Sequence, residues 1–575
     1  MKYISRKTYL FIIGTIFGFL LSFGMIIFRV LKGSSIYSAM FFEAWQILDI
    51  ALFIRPIHQI FLISSLIICL GVCILTFYLI SSKPSELNNK LIEILQFIGY
   101  VGLTYSLGET LQYILMNKLF YQGVFNTVPY FLGISIFTFS MIILLSNRDL
   151  IKNIIDLSKK LTNNKNEYKT LEFKRNFPSL IQMIVFPIIG MLLMVPNFTA
   201  MAGILPSPPE INEGEFGNLI EEYQIYEVNY NSIIPNETFE VMTPEERERE
   251  WVVRIYVPGL AEKEVENKTI PVAIFMHGFA EYKPDQFLDM IHSITSKGNI
   301  CIFIHYPSYF DIPDSKRPEL VNEKGGENWP EMIYRYKLII PELFRIENII
   351  NNNSEPEILS QIETYIGANN ISFSHLWMGG MSLGAGMLTT LATHATDRGW
   401  GTSTFIIDGE VPSVFSTFPE YYGNLTKLPD HTIINILNAD EDHVVPRCSG
   451  KWIFERFFTR DGAGKLNDSQ GQYILVNSDR KGFPRLVATH YLSANAVRDT
   501  LSDYTVFKRF DAQATYIFAI ANSNTEMANM ALPYFTDPDV IKNLGQWSNG
   551  ELVNPPFITN DPLGTRGTIE LNCQN

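Results

Sequence analysis

The sequence predicts two parts of different kind. Residues 1–209 read as an all-α transmembrane bundle, and 210–575 as an α/β domain with a mostly parallel sheet. Three observations carry this. Long uncharged apolar runs fill the first third of the chain and then stop. Beyond Pro209, short β-rich runs alternate with helical stretches, the pattern of strands joined by crossover helices. Charge divides at nearly the same point: residues 1–204 hold 17 Lys and Arg against 9 Asp and Glu, a net of +8, whereas 205–575 hold 28 against 50, a net of −22. An acidic second part lacks the clustered cations that nucleic acid requires, so nucleic acid is excluded as a partner.

Four uncharged runs, Thr8–Phe28, Gln59–Ser82, Leu119–Asn147 and Asn176–Pro209, exceed the length that crosses a bilayer core, about 20 residues. A fifth, Leu91–Met116, is interrupted by Glu93 and Glu109. Glu109 is either a functional intramembrane carboxylate or a group that faces a neighbouring helix or the headgroups. Lys2, Arg6 and Lys7 precede the first run, and eight Lys and Arg lie between Arg148 and Arg175. Both segments belong on the cytoplasmic side. Five spans then put the N-terminus inside and everything after about Leu205 outside. Ile36–Ile54 is apolar but carries Glu43 and Asp49, so it reads as interfacial or re-entrant; as a sixth span it would reverse the side of the second part. The first run lacks a small-residue cleavage site and reads as a retained anchor.

Of five cysteines, Cys69 and Cys73 lie in an apolar run and Cys301 in a core strand, leaving Cys448 and Cys573 to pair or all five to stay reduced. No Cys/His spacing suggests a metal. Seven N-x-S/T sequons, beginning at Asn197, Asn236, Asn267, Asn352, Asn370, Asn424 and Asn467, fit an outside domain, although an Asn-rich chain also produces them by chance.

In the second part, strands are expected at Tyr223–Tyr230, Trp251–Val257, Ile270–Met276, Ile300–His305, Leu376–Gly379, Thr404–Ile407, Thr432–Leu437 and Gln472–Val476. Helices are expected at Asp285–Lys297, Trp329–Ile350 and Leu383–Thr396. The segment 307–370 exceeds the needs of one crossover and is either a cap or a surface excursion.

Chemistry concentrates in four places. Gly380-Met381-Ser382-Leu383-Gly384 follows an apolar run and opens a helix. Small neighbours permit the strained turn that exposes a nucleophilic serine, and the helix start offers N–H groups to an oxyanion. The motif alone is weak; its position after a strand, and partners in the required chain order, strengthen it. His277-Gly278-Phe279 directly follows the strand ending at Met276, where one oxyanion donor belongs. The backbone N–H groups of Phe279 and Leu383 are the expected donors, with His277 shaping the loop. Asn438–Pro446 carries Asp440, Glu441 and Asp442 after another strand, and Asp442, two places before Val444-Val445-Pro446, is the preferred acid over Asp440 and Asp408. A general base must follow the acid, which leaves His443 and His490. His443 adjoins Asp442 and cannot also reach the serine, so His490 is chosen.

Together, His277-Gly278-Phe279, the Gly380–Gly384 elbow, Asp442 before Val444-Val445-Pro446, and His490 make the stretch Trp251–Phe510 resemble α/β-hydrolase serine esterases of the dienelactone hydrolase, chlorophyllase and cutinase-like branch. The membrane third lies outside the resemblance. The resemblance implies a Ser382–His490–Asp442 triad, an acyl-enzyme, a small-molecule or lipid ester as substrate, and no cofactor or metal. A peptidase of the same fold, or a non-catalytic receptor or scaffold, are the alternatives. The tail Gly545–Gly550 reads as a hairpin with an Asn-Gly turn.

Overall fold

A computed structural model of the chain describes residues 6–31, 58–81, 86–117, 128–146, 177–210, 216–260, 267–279, 281, 283–313, 331–352, 354–367, 370–413, 425–442, 444–458, 466–495 and 498–563. The expected interfacial segment 36–54, the basic segment 148–175 and His443 lie outside these. The chain forms two compact units, Met1–Ser207 (with Lys481–Arg485) and Pro208–Arg480 with Leu486–Asn575.

The described part of the first unit is helical, with α1 (Arg6–Leu31), α2 (His58–Ser81), α3 (Glu86–Asn117), α4 (Val128–Ser146) and α5 (Phe177–Met201). Two described stretches, Thr8–Leu31 and Asn89–Gln112, are long and apolar enough to cross a membrane. The other helices hold shorter described apolar stretches, Ile67–Tyr78, Leu132–Ser146 and Val185–Pro196. Many large apolar side chains on α1 and α2, such as Phe17, Leu21, Ile74 and Phe77, are exposed, so these surfaces are not sealed by the unit itself. Apolar clusters such as Leu103, Ile136 and Ile143 join neighbouring helices, and polar side chains add further links. Gln112 on α3 donates to the Ser22 carbonyl and hydroxyl of α1, both at 2.9 Å, and Gln96 donates to the Ser146 carbonyl at 3.0 Å. Helices α4 and α5 cross where Gly133 meets Gly190; a Cβ on either would lie 2.7 Å from the other's carbonyl oxygen. Small residues at such crossings bring backbones into direct contact. Glu109 is half-buried on α3, one turn before Gln112.

The second unit is built on a nine-stranded sheet among the described residues, in the order β1-β2-β4-β3-β5-β6-β7-β8-β9. The strands are β1 (Tyr223–Asn229), β2 (Val252–Pro258), β3 (Thr269–Met276), β4 (Ile300–Ile304), β5 (Asn370–Met381), β6 (Thr404–Glu410), β7 (Ile433–Ala439), β8 (Gly471–Val476) and β9 (Phe557–Thr559). From β4 to β8 all neighbours pair in parallel, whereas β1, β2 and β9 are antiparallel additions at the edges. All eight expected strands are present. The run expected at Thr404–Ile407 continues to Glu410 because its acidic residues are buried with partners, and the run at Leu376–Gly379 begins earlier, at Asn370.

Parallel strands buried on both faces explain the near-continuous apolar runs. Between β3 and β4 runs α6 (Leu288–Ser296). Alternate residues serve opposite faces. Val272, Ile274 and Met276 of β3 join the large core cluster with α7 (Glu331–Asn352), α8 (Pro356–Ile366), α9 (Leu383–Asp397) and α10 (Arg447–Phe458). Phe275 faces the other way, 4.9 Å from Phe287 and 6.4 Å from Trp377 between ring centroids. The described helices of the 307–370 stretch thus pack in the main core. The tail turn differs from its expected form: Gly550 N–H donates to the Trp547 carbonyl, so Ser548 and Asn549 are the central turn residues and Gly550 follows at φ +85°.

On the Trp377 face lies α11 (Lys508–Ala521), which the sequence did not announce, since Arg509, Asp511 and Gln513 occupy its buried side. Arg509 donates to both oxygens of Asp408, Nε to Oδ2 at 2.9 Å and Nη2 to Oδ1 at 3.1 Å, and pairs with Glu410. Gln513 bridges Asp408 at 2.6 Å and Asn435 at 2.9 Å, and accepts from the Trp377 indole at 2.7 Å. The cluster ties α11 to β5, β6 and β7. Removing the cation leaves two buried carboxylates uncompensated, so Arg509→Met is expected to destabilise the unit by about 3–5 kcal/mol. Urea denaturation of the detergent-solubilised chain measures this; a loss within 0.5 kcal/mol, about the size of an ordinary surface change, would contradict it.

Candidate active site

The chain order of the sheet determines where a site can form. From β3 the chain moves out to β4 and then returns across β3 to β5. Loops leaving the carboxyl ends of β3 and β5 therefore diverge and open a crevice at a topological switch point. The sequence-predicted residues sit at such ends: 277–281 after β3, Ser382 after β5, 440–445 after β7, and His490 in the segment that follows β8.

Ser382 occupies the turn between β5 and α9 with φ +52° and ψ −112°, a conformation disfavoured for any residue but glycine. The fold holds it there. Its N–H donates to the Glu410 carbonyl at 2.8 Å, and its carbonyl accepts from Ser413 N–H and Gly386 N–H, both at 3.0 Å. Gly384 is required by packing: a Cβ there would lie 2.2 Å from the Met276 carbonyl oxygen, so only glycine lets α9 press against the end of β3. A second non-glycine strain point adjoins the elbow, where Val411 at φ +43° donates its N–H to the Leu437 carbonyl at 2.7 Å. Leu383 begins α9, and the first N–H groups of a helix have no partner within it.

Asp442 and His490 meet from segments 48 residues apart. His490 Nδ1 lies 2.8 Å from Asp442 Oδ2, and the carboxylate side chain is fully buried. The other oxygen, Oδ1, accepts N–H groups from Val444 at 2.8 Å and Val445 at 2.9 Å. An ionised carboxylate only accepts, so His490 carries its proton on Nδ1 and presents Nε2 away from the pair. The competing acids are engaged elsewhere. Asp440 accepts from the Ser478 hydroxyl at 2.6 Å and the Ser478 N–H at 2.9 Å, and Asp408 belongs to the Arg509 cluster.

The loop after β3 is equally fixed. His277 is fully buried; Nδ1 lies 2.7 Å from the Gly278 carbonyl, and Nε2 accepts from Tyr306 N–H at 3.2 Å. Its ring stacks on Tyr306 with centroids 3.8 Å apart. Burial pushes the imidazole down to about 3, against the pull of the Gly278 hydrogen bond, so it is neutral and structural. Phe279 follows, partly buried, with its ring edge-on to Tyr309 at 4.9 Å. The loop reaches the elbow, since a Cβ on Gly278 would lie 3.5 Å from Ser382 Cβ.

Sequence reasoning missed one polar group here. Glu281 is buried, and its Oε2 accepts the Gly278 N–H at 3.0 Å. Burial raises its carboxyl to about 7, while the charge of nearby His490 and the Gly278 hydrogen bond draw it back down. A carboxylate three residues after a histidine-glycine pair is no general signal, and only the folded loop reveals it. Among the described residues no group of three or more His, Cys, Asp or Glu is arranged to hold a metal ion.

No family model matches the chain, and no curated protein matches it. Among solved structures, a thermostable esterase from Pseudomonas putida ECU1011 aligns at 12% identity over 52% of this chain and 83% of its own, with a TM-score of 0.31. An esterase from Rhizomucor miehei gives 12% identity over 53% and 86%, with a TM-score of 0.31. Carboxyl esterase 2 from Tuber melanosporum gives 13% identity over 56% and 91%, with a TM-score of 0.28. At these scores the likenesses carry no argument about activity. The strand order, the switch point and the strand-to-helix turn at Ser382 are what describe the second unit as α/β-hydrolase-like.

Proposed function

We propose that the chain is a membrane-anchored serine hydrolase that cleaves carboxylic esters through an acyl-enzyme. The observation that carries this reading is the buried Asp442–His490 pair at 2.8 Å, at the same end of the sheet as a serine held at φ +52°. Such a strained serine persists only where surrounding structure enforces it. In this reading Ser382 Oγ attacks the ester carbonyl carbon while His490 Nε2 takes the hydroxyl proton. Asp442 fixes the imidazole tautomer and stabilises its charge. The amides of Phe279 and Leu383 receive the oxyanion. The carbon–oxygen bond to the alcohol then breaks, and His490 returns the proton to the leaving alkoxide. Water, deprotonated by His490, next attacks the acyl carbon and frees the acid and Ser382.

Phe279 and Tyr309 flank the loop after β3, and Val444 beside Asp442 is exposed, which favours an ester with an apolar acyl or alcohol part. A lipid ester is one such substrate. The apolar helices and the flanking basic segments support a multi-pass anchor with a cytoplasmic N-terminus and the hydrolase unit outside. Cys448 is disulfide-bonded, as befits an oxidising compartment. Cys573, the partner that the sequence offers, lies outside the described residues, and Cys69, Cys73 and Cys301 are free thiols.

The test is hydrolysis of p-nitrophenyl butyrate by the detergent-solubilised chain. Ser382→Ala is expected to abolish turnover. Asp442→Asn should lower kcat by about 10⁴-fold, because the tautomer is lost, whereas Asp440→Asn retains kcat within about three-fold, as expected of a carboxylate that only binds Ser478. Equal losses at Asp440 and Asp442, or turnover surviving in Ser382→Ala, would contradict the assignment.

A further inference from the structure

We propose that Glu281 is a positioning residue of this site, whose carboxylate fixes the loop after β3 through the Gly278 N–H and sets a negative charge against His490. The inference rests on the hydrolase reading above and adds a fourth polar member to it.

The loop must place the Phe279 amide with little freedom, and its other backbone groups show how. The His277 carbonyl accepts the Tyr306 hydroxyl, and the Gly278 carbonyl takes the neutral His277 ring at 2.7 Å. The Gly278 N–H remains, and it donates to Glu281 Oε2 at 3.0 Å. Three consecutive polar groups before Phe279 are thereby bound, two from the Tyr306–His277 stack and one from Glu281. An added Cβ at Gly278 would lie 2.6 Å from Glu281 Oε2 and 3.5 Å from Ser382 Cβ, so the carboxylate and the serine border the same residue. A side chain there would have to displace the Glu281 carboxylate.

The charge has a separate effect. The groups facing Glu281 are His490, the Gly278 N–H and Tyr306, whose phenol is raised in part by the Glu281 charge. Asp442 stands behind His490 and His277 is neutral. During acyl transfer His490 becomes an imidazolium. An ionised Glu281 adds to Asp442 in stabilising it; a protonated Glu281 does not, although its carbonyl oxygen still accepts from Gly278. A carboxyl that titrates at about 7 changes between these states in the working range. Ionisation of Glu281 then contributes to the acid limb of the rate profile.

Two substitutions separate the effects. In Glu281→Gln the amide oxygen still accepts the Gly278 N–H, but the charge is gone. Its kcat for p-nitrophenyl butyrate at pH 8 should fall about three- to ten-fold with KM within two-fold, and the acid limb of kcat/KM should move to lower pH by about half a unit or more. Glu281→Ala loses the acceptor as well, and its kcat should fall about 100-fold, the size of a misplaced oxyanion donor. Thermal melting shows whether each variant is folded. It also carries a sign: the folded pKa is raised from the ordinary carboxylate value to about 7, so ionising Glu281 destabilises the fold as pH rises through that interval. Glu281→Gln should therefore melt above wild type at pH 8, with the gain shrinking toward pH 5. A Gln variant with the wild-type acid limb and rate overturns the charge effect, and Ala kinetics equal to those of Gln overturn the positioning. Fluorophosphonate labelling of Ser382 in wild type, with both variants unchanged, overturns this inference alone. Absence of labelling in wild type overturns the hydrolase reading and this inference with it.

Discussion

The second unit depends on one close approach, α9 seated on the end of β3 at Gly384. That contact sets the direction in which the helix leaves β5, and so the backbone angles of Ser382 between them. It also brings the His277–Phe279 loop beside the serine, because Gly384 lies against both the Met276 and His277 carbonyl oxygens. The serine and both expected oxyanion amides are thus consequences of a single steric fit. Strain at Ser382 and Val411 is held by hydrogen bonds to neighbouring strands, and the Arg509 cluster behind β6 keeps those strands in place.

Around this fit the polar groups divide by task. His277 and Tyr306 are neutral and shape the loop, Asp440 and Asp408 are bound elsewhere, and Asp442 turns one oxygen to backbone amides and the other to His490. A carboxylate held from two sides cannot rotate, so the imidazole inherits a defined orientation. Pre-oriented dipoles of this sort need no rearrangement when charge develops.

Much of this was legible in the sequence because it is written in local chemistry. Strand runs and the glycines around Ser382 are short-range patterns, and the order of serine, acid and histidine is read along the chain without knowing any contact. What remained hidden depends on distant partners. Asp408 and Glu410 interrupt an apolar run and made β6 look shorter, until Arg509, about 100 residues later, neutralises them. The same arginine made α11 look too polar to be a core helix. Nothing at its own position distinguishes Glu281 from a surface acid, and only the turn after β3 carries it inward. The composition of Gly545–Gly550 marks a turn, but which residues occupy its centre follows from the Trp547 hydrogen bonds.

The central claim joins an activated serine to a domain on the outer face of a membrane. Labelling intact cells with a membrane-impermeant fluorophosphonate, wild type beside Ser382→Ala, tests both together. The account predicts labelling of wild type in intact cells that vanishes in the variant. Ser382-dependent labelling only after lysis would keep the hydrolase and reverse the topology, and no labelling of the folded protein in either condition would contradict the account.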